Sequence, residues 1–219
     1  MAELNLEDLV ANGSMSAEMA ATLAVAAEEA RSLLFVAVPR MAGKSTVMRA
    51  TLRCASHDAP ITGLSRAHGP ELGIPAEQLD GYLVVSEISP AGFDDYLWGG
   101  DARRVFASLG TRSLATALHA PGVEEAFEVL TMHNRIPEEQ AARIELVAYI
   151  RSIGPWSEPT RRVVAEIHEI DGFEHGRPRA RLLHRWDEAV DRFEVVEVPR
   201  KIGTESGNYD AYVRAYSQH

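Results

Sequence analysis

LLFVAVPRMAGKST, residues 33–46, is the stretch that decides the fold of this sequence. The run from Leu33 to Val38 is entirely apolar and is followed by Pro39, which makes it too short for a buried helix. A continuous apolar run of this length is typical of a parallel-sheet strand, because both faces of such a strand are covered. From Lys44 to about Cys54 the spacing of apolar residues becomes helical. The stretch therefore predicts a central β-strand, a loop and a helix.

The predicted helix begins with a tetrapeptide that can bind phosphate. Gly43-Lys44-Ser45-Thr46 matches the end of the pattern G-x-x-x-x-G-K-[ST]. In that pattern, backbone N–H groups surround the β-phosphate, the lysine contacts β- and γ-phosphate oxygens, and the serine hydroxyl binds Mg²⁺. We therefore predict that these four residues bind the phosphates of a nucleoside triphosphate and that Ser45 is a ligand of Mg²⁺. The alternative is an accidental tetrapeptide at a helix cap, and the preceding strand argues against it.

The loop before the tetrapeptide departs from the pattern. Val38 stands where the pattern has its first glycine, and residues 39–42, PRMA, are bulkier or stiffer than glycine. Glycine lets a phosphate loop adopt positive φ angles and approach the phosphates closely. With Val38 and Met41 in this loop, nucleotide affinity is expected to be weakened or lost.

Two further apolar runs end in side chains that can take part in catalysis. Residues 82–88, YLVVSEI, predict a strand with Glu87 near its end, and residues 113–118 predict a strand followed by His119. Glu87 could polarise a water molecule or hold the Mg²⁺ shell, and His119 could contact or sense a γ-phosphate. Taken singly, a solvated acid and a hydrogen-bonded packing histidine are the commoner interpretations. Only the co-occurrence of both residues with the phosphate loop favours a catalytic role.

The second half of the chain predicts an extension of the sheet. From Ile144 the pattern changes to alternating segments, which predict antiparallel strands at 144–150, 162–170 and 181–186 with turns at 154–155 and 171–176. A parallel sheet extended by antiparallel strands fits one domain better than two. We therefore predict residues 1–200 as a single α/β domain and residues 201–219 as its C-terminal tail.

The N-terminal region predicts a helix of its own. Its first 30 residues are rich in alanine and contain six acids with no Lys or Arg. The spacing of Met15, Met19 and Leu23 indicates an amphipathic helix that precedes the central strand.

The composition excludes several classes of protein. Of 219 residues, 46% are hydrophobic and 25% charged, which is typical of a globular protein. The net charge of -10 opposes broad binding to nucleic acid or anionic lipid, so neither is predicted as a partner. Arg103-Arg104 and Arg161-Arg162 are interpreted as solvated surface charge and are assigned no catalytic role. Without a leader or a membrane-spanning run, and with Cys54 as the single cysteine, the chain is expected in the cytoplasm.

The chain resembles the ATPases of type II and type IV secretion and of pilus assembly, most closely the tight-adherence pilus branch. The resemblance is carried by LEDLV (6–10), MSAEMA (15–20), the phosphate loop, VVSEI (84–88), TALHA (116–120), RRVVAEIHEI (161–170) and LHRWD (183–187). It implies a RecA-like P-loop NTPase core that hydrolyses Mg²⁺-ATP within a ring, commonly a hexamer. It also implies that Lys44 and Ser45 bind phosphate and Mg²⁺, that Glu87 activates water and that His119 lies near the γ-phosphate.

Two functions follow from these features. The first is an ATPase domain that powers protein export or pilus assembly, with copies of itself and secretion-machinery proteins as partners. The second is a non-hydrolysing regulatory or interaction subunit that keeps the scaffold and has lost the catalytic loop. The altered loop favours the second, as does the lack of a recognisable version of the family's acidic box in residues 56–64 or of its arginine-bearing N-terminal domain.

Overall fold

A mixed β-sheet runs through the part of the chain that the structure, a computed structural model, describes. That part comprises residues 4–38, 41–77, 80–155, 158–174, 176–203 and 207–218. Its strands are β1 (Leu33–Ala37), β2 (Ile61–Gly63), β3 (Tyr82–Ile88), β4 (Tyr96–Leu97), β5 (Ser113–His119), β6 (Leu146–Ile153), β7 (Arg161–Glu174), β8 (Arg177–Asp187) and β9 (Arg192–Val195). Their order is β2-β3-β5-β1-β6-β7-β8-β9, and β4 pairs with β3.

β1 is the central strand that the sequence predicts. It runs parallel to β5 and β6, with Leu33 in register with Ala115 on one side and Leu146 on the other. Every residue of β1 is buried. Phe35 packs into the core on one face of the sheet and Leu34 into the core on the other, and burying each contributes about 1.5–3 kcal/mol. Because both faces are covered, the strand is apolar without alternation.

The mostly parallel sheet and its antiparallel C-terminal extension confirm the predicted α/β fold class. β2, β3, β5, β1 and β6 pair in parallel, and β7, β8 and β9 pair antiparallel. The prediction that the strand at 144–150 pairs only antiparallel is wrong for one of its two neighbours. β6 is antiparallel to β7 but parallel to β1. β7 also continues through Asp171 and Gly172 to Glu174, so the predicted second turn begins later than expected.

Helices cover both faces of the sheet. They are α1 (Leu6–Ala11), α2 (Ala17–Glu28), α3 (Lys44–Leu52), α4 (Gly100–Ala107), α5 (Val123–Glu128), α6 (Glu138–Ala141) and α7 (Tyr209–Tyr216), with a 3₁₀ turn at Arg66–His68 and a π-helical turn at Val129–His133. α1, α2, α3 and α7 pack into one core, and α4, α5 and α6 into the other. Among these described helices, none has the length and apolar character needed to cross a bilayer.

α2 differs from the amphipathic helix that the sequence predicts. Its residues from Met19 to Ala27 are buried without interruption. The reason is that α3 and α7 both pack against it, and α7 comes from the residues expected to form a separate tail. Tyr216 of α7 is only 5% exposed. The face of α2 that was expected to be exposed to solvent is therefore covered by other helices, including α7.

Glu169 of β7 anchors the segment that leads to α7. Its carboxylate is fully buried and accepts hydrogen bonds from the backbone N–H groups of Arg200 (3.1 Å), Lys201 (2.9 Å) and Ile202 (3.1 Å), and from the Arg181 guanidinium. A buried carboxylate is tolerated only where its charge is compensated and hydrogen-bonded. These bonds therefore fix the C-terminal segment on the sheet.

Candidate functional site

Three strand ends bring the predicted site residues to one edge of the sheet. β1 leads into the phosphate loop, and α3 begins at Lys44. β5 lies between β1 and β3, and its last residue, His119, is in register with Ala37 of β1. Glu87 lies near the end of β3, on the other side of β5. Because parallel strands end at a common edge, Lys44, Glu87 and His119 meet there, while their chemical roles remain predictions.

The three side chains form one contact cluster. Lys44 Nζ lies 3.4 Å from Glu87 Oε2 and 3.3 Å from His119 Nε2. His119 Nε2 in turn lies 3.2 Å from Glu87 Oε1. Lys44 and Glu87 are each 6% exposed, so their opposite charges compensate each other away from bulk water.

His119 is oriented by the main chain of the phosphate loop. Its Nδ1 lies 2.9 Å from the carbonyl oxygen of Val38. A carbonyl only accepts, so this contact assigns a proton to Nδ1. In the neutral ring, Nε2 then accepts from Lys44, whereas in the imidazolium it donates to Glu87. The ring therefore contacts Lys44 and Glu87 through the same nitrogen, Nε2.

Glu87 is held in its ionised form by its neighbours. Burial by itself raises the pKa of a carboxyl group, but here the hydrogen bond from His119 and the positive charge of Lys44 outweigh it. The pKa of Glu87 consequently lies below its ordinary value. At neutral pH this side chain is a carboxylate that can accept a hydrogen bond or a proton.

Two described residues of the phosphate loop have backbone conformations that favour glycine, but only one of them is a glycine. Gly43 has φ +103° and Met41 has φ +61°, both in the left-handed region that favours glycine. Met41 is 69% exposed, so its side chain projects into solvent at the cleft. Pro39 and Arg40 lie outside the described residues. The loop thus keeps a backbone shape suited to glycine at a position where the sequence has methionine.

A cleft of about 970 Å³ opens over this cluster. Its walls come from the start of α3, from the α1 region with Leu9 and Asn12, from the aromatic residues Phe93 and Tyr96, and from Thr160 and the first residues of β7, 161–164. The two aromatic rings pack edge to face with centroids 5.1 Å apart. The volume lies in the range of small-molecule and cofactor sites, about 300–1,000 Å³. The cleft is therefore large enough for a nucleotide.

Several lining residues were missed by the sequence analysis. Tyr96 enters the cleft because the short strand β4 pairs with β3 in register with Glu87. Arg162, interpreted as solvated surface charge, lies over the phosphate loop, and its Nε donates to the carbonyl of Met41 at 2.8 Å. The only feature of the sequence that points to Arg162 is its position next to a second arginine, Arg161.

The start of α3 fits a phosphate chain with Mg²⁺. No side chain caps this helix in the described structure, and Ser45 and Thr46 are exposed at the cleft. The backbone N–H groups of the first helical turn and the positive end of the helix dipole favour an anion at such a terminus. The described residues contain no group of three or more His, Cys, Asp or Glu that could hold a metal by itself. Mg²⁺ is commonly held by one or two protein oxygens together with phosphates, for which Ser45 and Glu87 are suitable.

Comparison with known proteins gives similarity in structure only. No protein-family model matches the chain, and no curated protein matches it in sequence. Solved structures with a similar arrangement include the VirB11 ATPase from the Brucella suis type IV secretion system in complex with sulphate and the Legionella pneumophila ATPase DotB.

The numerical similarity to both structures is low. The VirB11 match has 20% identity and a TM-score of 0.45, and covers 67% of this chain and 50% of that one. The DotB match has 17% identity and a TM-score of 0.43, and covers 90% of this chain and 54% of that one. The chain thus spans about half the length of each protein. Likeness at this level is no basis for assigning an activity.

Proposed function

We propose that this chain is a secretion- or pilus-type ATPase domain that binds Mg²⁺-ATP at the loop around Gly43 and hydrolyses it. The observation that carries the proposal is the contact of Lys44 with both Glu87 and His119 at the start of α3. A cation for phosphate oxygens and a carboxylate for an attacking water are the residue types that phosphoryl transfer requires. The resemblance of the short motifs quoted above to those of secretion and pilus ATPases supports the same activity.

Binding of the phosphate chain is the role proposed for the start of α3. The backbone N–H groups of Lys44, Ser45 and Thr46 donate to phosphate oxygens, and the Lys44 ammonium exchanges part of its contact with Glu87 for the terminal phosphates. Mg²⁺, when bound with the nucleotide at the Ser45 hydroxyl, supplies positive charge that offsets the charge of the phosphates.

Proton acceptance is the role proposed for Glu87. Its lowered pKa keeps it ionised at neutral pH, and it lies beside the lysine that would hold the terminal phosphate. Glu87 orients the attacking water and accepts its proton as the water oxygen bonds to the γ-phosphorus, while the bond from that phosphorus to the β–γ bridging oxygen breaks and ADP leaves. His119 couples this step to the loop, because it contacts both Glu87 and the Val38 carbonyl.

The assembly proposed for the domain follows from the same resemblance. We place the protein in the cytoplasm as a ring of copies, with secretion or pilus-assembly proteins as its partners. In such a ring, hydrolysis drives a cycle of conformations that acts on the partner. An open cleft rimmed by exposed Phe93 and Met41 is compatible with completion of the site by a neighbouring copy.

A non-hydrolysing regulatory protein is the second candidate function. It is favoured by Met41, which holds a bulky exposed side chain at a position with φ +61° where glycine fits better. Val38, also exposed at the loop, replaces the first glycine of the pattern. This candidate differs from the first in one measurable property, namely turnover.

The test is calorimetric titration of the purified protein with Mg²⁺-ATP, combined with measurement of phosphate release. Binding with release, both lost in Lys44→Ala, is the result expected for an ATPase. Binding without release would favour the regulatory candidate. An absence of binding at millimolar nucleotide, or equal binding by Lys44→Ala, would refute the proposed site.

A further inference from the structure

Arg162 reaches the phosphate loop from a distant part of the chain. It lies on β7, in the antiparallel extension, and its Nε donates to the Met41 carbonyl at 2.8 Å across a separation of 121 residues. Its side-chain stem stands directly over the loop, because a Cβ added to Gly43 would lie 3.2 Å from Arg162 Cδ. The arginine therefore covers the two loop residues that have positive φ.

The hydrogen bond to Met41 sets the orientation of the guanidinium. With Nε used on the loop, the two terminal nitrogens donate to no other group among the described residues. Arg162 also lines the cleft and is exposed within it. A planar guanidinium with free terminal nitrogens matches the geometry of phosphate oxygens, which it can contact through two parallel N–H donors.

Arg162 differs from the other cations that line the cleft in having no carboxylate partner among the described residues. Among the described lining residues, the charged groups are Lys44, Glu87, Arg161 and Arg162. Lys44 is compensated by Glu87, and Arg161 forms an ion pair with Asp191 at 2.6 Å. Arg162 forms no ion pair with a described residue. Among the described residues that line the cleft, Arg162 is therefore the cation whose charge no carboxylate compensates, so it can interact with an anionic ligand.

We propose that Arg162 binds the phosphate groups of the nucleotide, as a second cation beside Lys44. The proposal rests on the proposed function of the loop and adds a residue to it. The loop has Met41 where glycine would allow close backbone contact, and the arginine supplies charge-assisted hydrogen bonds to phosphate at the same place. The nucleotide site is thereby completed by the antiparallel extension of the same chain.

The test uses four variants and two probes. Arg162→Ala removes both the charge and the donor, Arg162→Gln keeps a donor for the Met41 carbonyl without the charge, and Arg162→Lys keeps the charge without the fork. Arg185→Ala is the matched control, since Arg185 is an exposed arginine on β8 that pairs with Glu194 at 2.7 Å. Each protein is titrated by calorimetry with Mg²⁺-ATP and with tripolyphosphate, at low and at moderate salt, after circular dichroism has shown that it is folded.

Loss of a charge-assisted contact is the expected result. Arg162→Ala and Arg162→Gln should each weaken binding of both probes by about 10- to 100-fold, and their affinities should depend less on salt than that of the wild type. Arg162→Lys should lie between them and the wild type. Arg185→Ala should bind as the wild type does.

Other outcomes separate this inference from the proposed function. Binding by Arg162→Gln at the wild-type level, with loss only in Arg162→Ala, would show that the arginine merely braces the loop and would overturn the inference. Unchanged binding by every Arg162 variant would overturn it as well, while leaving the nucleotide site intact. If the wild type binds neither Mg²⁺-ATP nor tripolyphosphate, both the nucleotide site and this inference are refuted.

Discussion

Lys44 Nζ lies 3.4 Å from Glu87 Oε2, so the lysine of the phosphate loop and the carboxylate at the end of β3 form a buried ion pair. The pair joins two parts of the proposed reaction, because Lys44 would hold the phosphate and Glu87 would accept the proton of water. A ligand anion at Lys44 changes the electrostatic surroundings of Glu87. In the proposed reaction, phosphate binding at Lys44 and proton acceptance at Glu87 would therefore be coupled through this contact.

Glu87→Gln should separate binding from turnover. The variant keeps a polar group at the same place but cannot accept a proton, so Mg²⁺-ATP binding should persist while phosphate release falls by at least about 100-fold. Calorimetry and a phosphate-release assay measure the two effects. Glu166→Gln is the control, because Glu166 also contacts a histidine, His168, at 2.8 Å but does not line the cleft. Retained turnover in Glu87→Gln would remove the proposed role.

Met41→Gly should have a different effect on stability from Met132→Gly. Both methionines are 69% exposed, but Met41 has φ +61° while Met132 lies in a helical turn. Glycine in a helix costs about 1 kcal/mol. At Met41 it relieves a left-handed conformation, so the free energy of unfolding should stay unchanged or rise by up to about 1 kcal/mol. Urea unfolding measures both variants, and equal destabilisation would show that the Met41 backbone is not strained.

Glu169→Gln should strongly destabilise the protein. The glutamine amide would place N–H donors against the backbone N–H groups of residues 200–202 and would leave Arg181 without its buried partner. Breaking a buried ion pair costs about 3–5 kcal/mol. Glu194→Gln, which removes an exposed pair with Arg185, should leave the free energy of unfolding nearly unchanged. Similar unfolding midpoints for the two variants in urea would contradict this interpretation of Glu169.

His184 should make stability depend on pH between about 4 and 6.5. Burial lowers the pKa of this histidine to about 4 from its ordinary 6.5. The Thr22 hydroxyl donates to the Glu18 carbonyl, so it accepts from His184 Nε2, and Nδ1 has no partner among the described residues. As the pH falls through this window, the unfolded chain takes up a proton before the folded chain does, so stability decreases.

The measurement for His184 is the free energy of unfolding in urea across this pH range. His184 should contribute a loss on the order of 3 kcal/mol, since one pKa unit corresponds to about 1.4 kcal/mol. His184→Leu cannot titrate, so its stability should decline less steeply than that of the wild type. Parallel declines in the two proteins would show that His184 is not the responsible group.

The sequence was most informative where local pattern and local chemistry coincide. The apolar runs at 33–38, 82–88 and 113–118 predict β1, β3 and β5, because strands buried on both faces need no alternation. The motif at Gly43 and Lys44 predicts the start of α3, and the strand order then places Glu87 and His119 beside it. The strands and the helix start depend on residues close together in sequence, whereas the meeting of the three side chains depends on the strand order.

The features that the sequence did not reveal depend on distant contacts. β2 and β4 contain three and two residues, too few for a recognisable pattern. The buried outer face of α2 depends on α7, far along the chain. From the sequence alone, Arg162 is interpreted as surface charge. The folding of the antiparallel extension brings it into contact with Met41, which lies 121 residues earlier in the sequence.

The most direct test of the nucleotide site is the amide NMR spectrum of isotope-labelled protein during titration with Mg²⁺-ATP. We predict that the largest shifts fall on the amides of residues 43–46, with smaller shifts at Glu87 and His119, and that Lys44→Ala abolishes them. Shifts confined to another surface, or a spectrum unchanged at millimolar nucleotide, would contradict a phosphate-binding role for this loop.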